Sequence, residues 1–249
     1  SLALPSLAAA LGWQGALLVV AGVLIAMAWS LNLPARRYAL PPVSDAASAG
    51  VLSGVLRMLQ ILRLRRDLLA LACGASAFGA TQVCMNSFLI TWAMTARDAS
   101  LAGAGVIAAT AQGAGLVGRP LWGWVASRSG GAVRVLRGLG VLMSLSALWV
   151  GLQGAHASGA ALMLVAAAFG LSASGWNGVF LSEVAARSAP GAVAAGTAAA
   201  MLPLYTGLIV GPIVFAAWSR WADMSSGFVL LAVIAAIGTL LVPKHRPHE

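Results

Sequence analysis

The sequence predicts an all-α integral membrane protein, and three observations lead to this fold class. Of the 249 residues, 60% are hydrophobic and 8% are charged, whereas a soluble domain carries about 25% charged residues. Seven segments are long and apolar enough to cross a bilayer as helices. No segment of useful length alternates apolar and polar residues as a membrane strand does. The composition therefore excludes a soluble enzyme, a nucleic-acid-binding module and a disordered chain.

The predicted spans follow one another with short links, except after the first. A helix needs about 20 apolar residues to cross a hydrocarbon core about 30 Å thick. The seven segments that meet this length are Gly15–Leu33, Leu68–Thr95, Leu101–Ala126, Val135–Leu152, Ala160–Ala185, Ala194–Trp218 and Gly227–Val242. The long link, residues 34–67, starts with proline, serine and aspartate residues that are typical of a loop.

The second part of this link predicts an amphipathic helix. Val51–Arg66 mixes leucines with Arg57, Arg63, Arg65 and Arg66, a pattern typical of a helix that lies in the membrane interface. The arginines have two interpretations. Anchoring to anionic lipid headgroups is the simpler one, and binding of a regulatory partner is the other.

The basic residues predict an orientation. If the first span ends on the inner side, 13 of the 15 lysines and arginines lie inside and only Arg97 and Arg220 lie outside, as the positive-inside rule requires. The net charge of +9 is then a topology signal, and no nucleic-acid partner is needed. Ser1–Ala10 then resembles the end of a span that comes up from the cytoplasm. We therefore expect the chain to be the C-terminal part of a longer membrane protein, whose N-terminal half is its partner.

The segment GRPLWGWVASRSG, at the inner end of the third span, resembles the signature loop of the major facilitator superfamily, G-x-x-x-D-R-x-G-R. Gly123, Arg128 and Gly130 match the family pattern, while Ser127 stands where aspartate is usual. A serine still accepts a hydrogen bond at a helix N-terminus, and glycine suits a turn where backbones approach closely. The resemblance implies a gating role for the set Gly118, Arg119, Gly123, Ser127, Arg128, Gly130 and Glu183.

The resemblance covers the whole chain and implies its organisation. In the family, six helices precede a long cytoplasmic loop and six follow it. Residues 1–33 would then be the end of the fifth helix and the sixth helix, residues 34–67 the central loop, residues 68–242 the C-terminal six-helix bundle and residues 243–249 a cytoplasmic tail. The implied function is a permease of a bacterial inner membrane, which moves a small-molecule substrate by alternating access without a cofactor or metal.

Glu183 is the only acid within a predicted span, and an intramembrane acid is a candidate functional residue. One role is proton coupling. The other is an ion pair with Arg119 or Arg128 in a gate on the inner side, which the position of Glu183 near the inner end of its span favours.

Polar residues deep in four spans predict a substrate cavity. Gln82 and Asn86 share one helical face, and the others are Gln112, Asn177 with its neighbour Trp176, and Tyr205. Hydrogen bonds between helices are the alternative explanation. In the family, the first, second, fourth and fifth helices of each half line the substrate path, and these spans hold those places. We expect no charge at mid-membrane, so an anionic substrate would find its partner in the other half.

Two other functions compete with transport. A membrane-embedded enzyme needs a nucleophile with its base, or clustered carboxylates for a metal, and the spans contain neither. Cys73 and Cys84 lie 11 residues apart on one predicted helix, too far for a disulfide or a shared metal. A non-transporting receptor or assembly subunit on the same fold remains the alternative.

Overall fold

The computed structural model describes residues 3–35, 51–128 and 131–243, and these residues fold into helices. The elements are α1 (Ala3–Ala35), α2 (Val51–Leu64), α3 (Arg66–Ala96), α4 (Leu101–Arg128), α5 (Ala132–Gln153), α6 (Gly159–Arg187), α7 (Val193–Trp221) and α8 (Met224–Leu241). All but α2 contain a stretch long and apolar enough to cross a membrane. The predicted all-α membrane fold is confirmed, and α2 covers the segment predicted to be an amphipathic helix.

The chain divides into two compact units, residues 1–55 and 56–249. In the first unit, α1 is broken at Gly12, whose backbone angles of φ 72° and ψ 165° are not helical. Positive φ values of this kind favour glycine because it has no Cβ. The break falls between the two pieces expected from the sequence, Ser1–Ala10 and Gly15–Leu33.

In the second unit, the six spanning helices pack most extensively in three pairs, α4 with α6, α3 with α7 and α5 with α8. Small residues allow these close contacts, because membrane helices associate through tight packing rather than through exclusion of water. A Cβ on Gly207 of α7 would lie 2.1 Å from the carbonyl oxygen of Ser76 on α3. A larger residue there would force the two helices apart.

Aromatic rings fill the centre of this unit and connect its helices. Trp92 and Phe228 meet edge to face at 5.7 Å between ring centroids, and Phe78 and Trp176 at 5.8 Å. The fully buried aromatic side chains are Trp92, Trp176, Phe78, Phe169, Phe180, Phe215 and Phe228. They set the positions of α3, α6, α7 and α8, on which the candidate site is built.

The helix ends are fixed by capping side chains and by one bridge between turns. Ser158 caps α6 by accepting a hydrogen bond from the amide of Ala161, and Asp223 caps α8 in the same way. Arg97, which follows α3, donates to the carbonyl oxygens of Gly154 and Ala157 after α5. This bridge joins two turns at the same end of the unit.

Candidate functional site

Four amide side chains from three helices form two hydrogen-bonded pairs. Nε2 of Gln112 on α4 donates to Oδ1 of Asn86 on α3 at 2.7 Å. Nδ2 of Asn177 on α6 donates to Oε1 of Gln82 on α3 at 3.3 Å. Gln82 and Asn86 lie one helical turn apart, so α3 carries one member of each pair. The structure thus brings together four of the six residues predicted to line a cavity.

These amides keep hydrogen-bonding capacity for a ligand. Asn86 is exposed, and Gln82, Gln112 and Asn177 are half-buried. A primary amide has two N–H donors and an oxygen with two lone pairs, and each pair uses only one donor and one acceptor site. A polar solute on this face would therefore find both donors and acceptors.

Close packing of α4 on α6 positions this cluster. Cβ atoms built on Gly115 and Gly118 would lie 2.6 Å from Cβ of Ser174 and 2.8 Å from the carbonyl oxygen of Leu171. Nε1 of Trp122 donates to that same carbonyl oxygen at 3.0 Å. Because the backbones of α4 and α6 approach so closely, side chains beside this contact on the two helices lie on one shared surface.

Arg119 lies within the spanning helix α4, toward the end that the sequence places on the inner side. The segment that resembles a signature loop continues as helix to Arg128. Arg119 therefore lies nine residues before the last residue of the helix. At 1.5 Å per residue this is about 13 Å from the C-terminal end of a helix about 42 Å long. A cation within a spanning helix is a candidate functional residue, and this one was assigned only to the gating set.

The Arg119 side chain shares the surface of the amide cluster. It follows Gln112 by seven residues, or about two helical turns, so both lie on one face of α4. Its Nε donates to the carbonyl oxygen of Ser174 at 3.4 Å, three residues before Asn177 on α6. The side chain is exposed, and in the described residues no carboxylate forms an ion pair with it.

The structure places Trp176 and Tyr205 apart from this cluster. Trp176 is fully buried, its Nε1 donates to the carbonyl oxygen of Ala173 at 3.1 Å, and it packs inside the bundle. Its inclusion among cavity-lining residues is therefore not supported. Tyr205 is 57% exposed. The contact of Gly207 with Ser76 puts Tyr205 about two helical turns from Gln82 along α3.

The motif residues behave differently from the expected turn. The hydroxyl of Ser127 donates to the carbonyl oxygen of Trp124 in its own helix at 2.7 Å and caps no other helix of the described residues. Arg128 lies over the ring of Trp124, 4.5 Å from its centroid, as in a cation–π contact. A Cβ on Gly123 would meet no atom within 4 Å. Gly118 makes the close approach instead, and Gly130 lies outside the described residues.

Glu183 has a different partner from the two predicted. Its Oε1 lies 2.6 Å from Nε of Arg187, one turn further along α6, and Arg187 Nη1 lies 3.6 Å from Oδ2 of Asp67 on α3. Arg65 completes this ionic clasp, since it lies 3.7 Å from Asp67 and donates to the carbonyl oxygen of Arg187. The expected pair with Arg119 or Arg128 is wrong. The spacing of Glu183 and Arg187 by four residues was the available signal.

The described residues contain no group of three or more histidine, cysteine, aspartate or glutamate side chains that could hold a metal ion. The family model described as Major Facilitator Superfamily matches residues 1–202. No curated protein matches the chain.

Proposed function

The chain belongs to the Major Facilitator Superfamily, and from this premise we propose that it is a secondary active transporter for a small organic anion. The family assignment supports a membrane transporter in general. The substrate class rests on one observation, the exposed guanidinium of Arg119 inside a spanning helix, on the face of α4 that also carries Gln112. A cation in this position is costly in a bilayer unless an anion or water accompanies it.

Arginine suits this task better than lysine would. Its planar guanidinium matches a carboxylate or phosphate with two parallel hydrogen bonds, and it stays charged at any physiological pH. Only Nε of Arg119 has a hydrogen bond within the described residues, and that bond to Ser174 is long at 3.4 Å. The terminal nitrogens are therefore available to a carboxylate, while Gln82 and Asn177 recognise other polar groups of the solute.

The proposed path runs along this surface of the helices of residues 68–242. Alternating access then means that the helices around the bound solute rearrange so that the site opens to one side of the membrane at a time. We place the protein in a bacterial inner membrane.

Flux measurements in liposomes test the substrate class. Small mono- and dicarboxylates are compared with uncharged amide analogues of the same size, and empty liposomes give the background. We expect saturable flux of at least one carboxylate and none of its amide analogue. Saturable flux of a neutral or cationic solute that carboxylates do not inhibit would contradict the proposal. Tight carboxylate binding without flux would instead favour a receptor on this fold.

A further inference from the structure

The surface of α2 combines exposed leucines with exposed arginines. Leu56 is 57% exposed, Leu59 39% and Leu64 75%, while Arg57 and Arg63 are also exposed. At 100° per residue, Leu56, Leu59 and Arg63 fall within a sector of about 60°. A surface facing only water would not present such a row of leucines.

The opposite face of α2 fixes the helix on the bundle. Leu62 is 3% exposed, and Met58 and Ile61 pack against the same hydrophobic core. Only Arg65 separates α2 from α3, the spanning helix that begins at Arg66. Arg65 is held by the ionic clasp to Asp67 and Arg187, so α2 adjoins the end at which the spanning helix α3 begins.

The charge of this surface is uncompensated. Within the described part of the chain, Arg57, Arg63 and Arg66 form no ion pair. The nearby acids are turned inward: the side chains of Asp67 and Glu183 are 17% and 14% exposed and already pair with Arg65 and Arg187. The surface therefore offers positive charge next to apolar side chains.

We propose that α2 and the first turn of α3 bind the headgroups of anionic lipids. Leu56 and Leu59 enter the boundary between headgroups and acyl chains, while Arg57, Arg63 and Arg66 contact lipid phosphates. An acidic protein would match the arginines but would leave the leucines uncovered, so a lipid surface fits both features. This inference is independent of which solute is transported.

Quenching by brominated lipids tests this proposal. A fluorophore is attached to Leu59→Cys in a Cys73→Ala/Cys84→Ala background, and the protein is reconstituted in bilayers. Brominated phosphatidylglycerol and brominated phosphatidylcholine are compared at equal mole fractions. Each arginine at an anionic surface enriches an anionic lipid about five-fold at low salt, so we expect severalfold stronger quenching by the glycerol lipid, which salt weakens.

Two triple variants provide the controls. In Arg57→Gln/Arg63→Gln/Arg66→Gln, both lipids should quench the fluorophore equally. The corresponding triple substitution by lysine should keep the stronger quenching by the glycerol lipid. Both should keep the wild-type melting temperature, because these side chains form no ion pair with any described residue. Equal quenching by both lipids in the parent, or a preference that survives the glutamine substitutions, would overturn the proposal. Absence of quenching by both lipids would also overturn the proposal and would instead favour an acidic protein as the partner of this surface.

Discussion

Asn177 on α6 donates a hydrogen bond from Nδ2 to Oε1 of Gln82 on α3, 3.3 Å away. Phe78 and Trp176, the residues that pack α3 on α6 in the core, lie on the same two helices. The polar bond and the apolar contact thus have separate roles, since the ring contact holds the helices together and the amides face the open surface. The amides should therefore tolerate substitution without loss of the fold.

Gln82→Ala and Asn177→Ala test the amide cluster. A hydrogen bond contributes about 0.5–1.5 kcal/mol, so each variant should raise KM about two- to ten-fold while membrane expression stays near normal. The matched control is Gln153→Ala, because Gln153 is an exposed amide at the end of α5. Transport kinetics that remain unchanged in both cluster variants would exclude these amides from the substrate path.

Gly170→Ala tests whether close packing of α4 on α6 positions the site. The added Cβ would lie 1.8 Å from the carbonyl oxygen of Ala111 on α4, so the helices must separate. We expect a lower melting temperature together with weaker substrate binding. Gly178→Ala on the same helix is the control, since its Cβ would meet no atom within 4 Å. Equal behaviour of the two variants would contradict this role of Gly170.

Glu183→Gln tests the ionic clasp. The substitution keeps a hydrogen-bond acceptor for Arg187 but removes the charge, and we expect a loss of about 1–2 kcal/mol in stability. Thermal unfolding in detergent measures it, with Arg220→Gln as control, because Arg220 is exposed and forms no ion pair in the described residues. If Glu183 acts instead in a gate, the variant would keep its melting temperature and change only the accessibility of the site.

Single-cysteine labelling tests the predicted orientation. Asp67, Ser127 and the C-terminal tail should face the cytoplasm, while Asp98, His156 and Asp223 should face outside, because 13 of the 15 basic residues fall on one side of the predicted topology. Cysteines at 127 and 156, in a background without Cys73 and Cys84, are exposed to a membrane-impermeant reagent in intact cells. We expect labelling at 156 only, and labelling at 127 would refute the orientation.

The spans could be predicted from the sequence because their length and apolarity are set by the bilayer. The predicted span Leu101–Ala126 and the helix Leu101–Arg128 differ by two residues. Arg119 already lies within that predicted span, but the surroundings of its side chain could not be predicted in the same way. The helix continues through Pro120, and only the packing of α4 on α6 shows that Arg119 contacts Ser174 and forms no ion pair with a carboxylate of the described residues.

Only part of the candidate site could be predicted, because the sequence gives the type of each residue but not the direction in which its side chain points. The four amides were expected to share one space, and their hydrogen bonds join them in pairs. That they bind a substrate stays a prediction. Trp176 is adjacent to Asn177 in sequence, but consecutive residues of a helix point about 100° apart, which turns its ring into the core. The ion pair of Asp67 on α3 with Arg187 on α6 depends on a contact between residues 120 positions apart in the sequence. No local sequence pattern predicts such a contact.

The substrate affinity of Arg119 variants is the most direct test of the account. Flux of the carboxylate substrate is measured for Arg119→Gln, Arg119→Lys and the control Arg220→Gln, an exposed arginine at the end of α7. A hydrogen bond to a charged group contributes about 1.5–3 kcal/mol, so we expect KM to rise at least about ten-fold in Arg119→Gln. Arg119→Lys should fall between this variant and the wild type, and Arg220→Gln should match the wild type. Wild-type affinity in Arg119→Gln would contradict the proposal that Arg119 binds the anion.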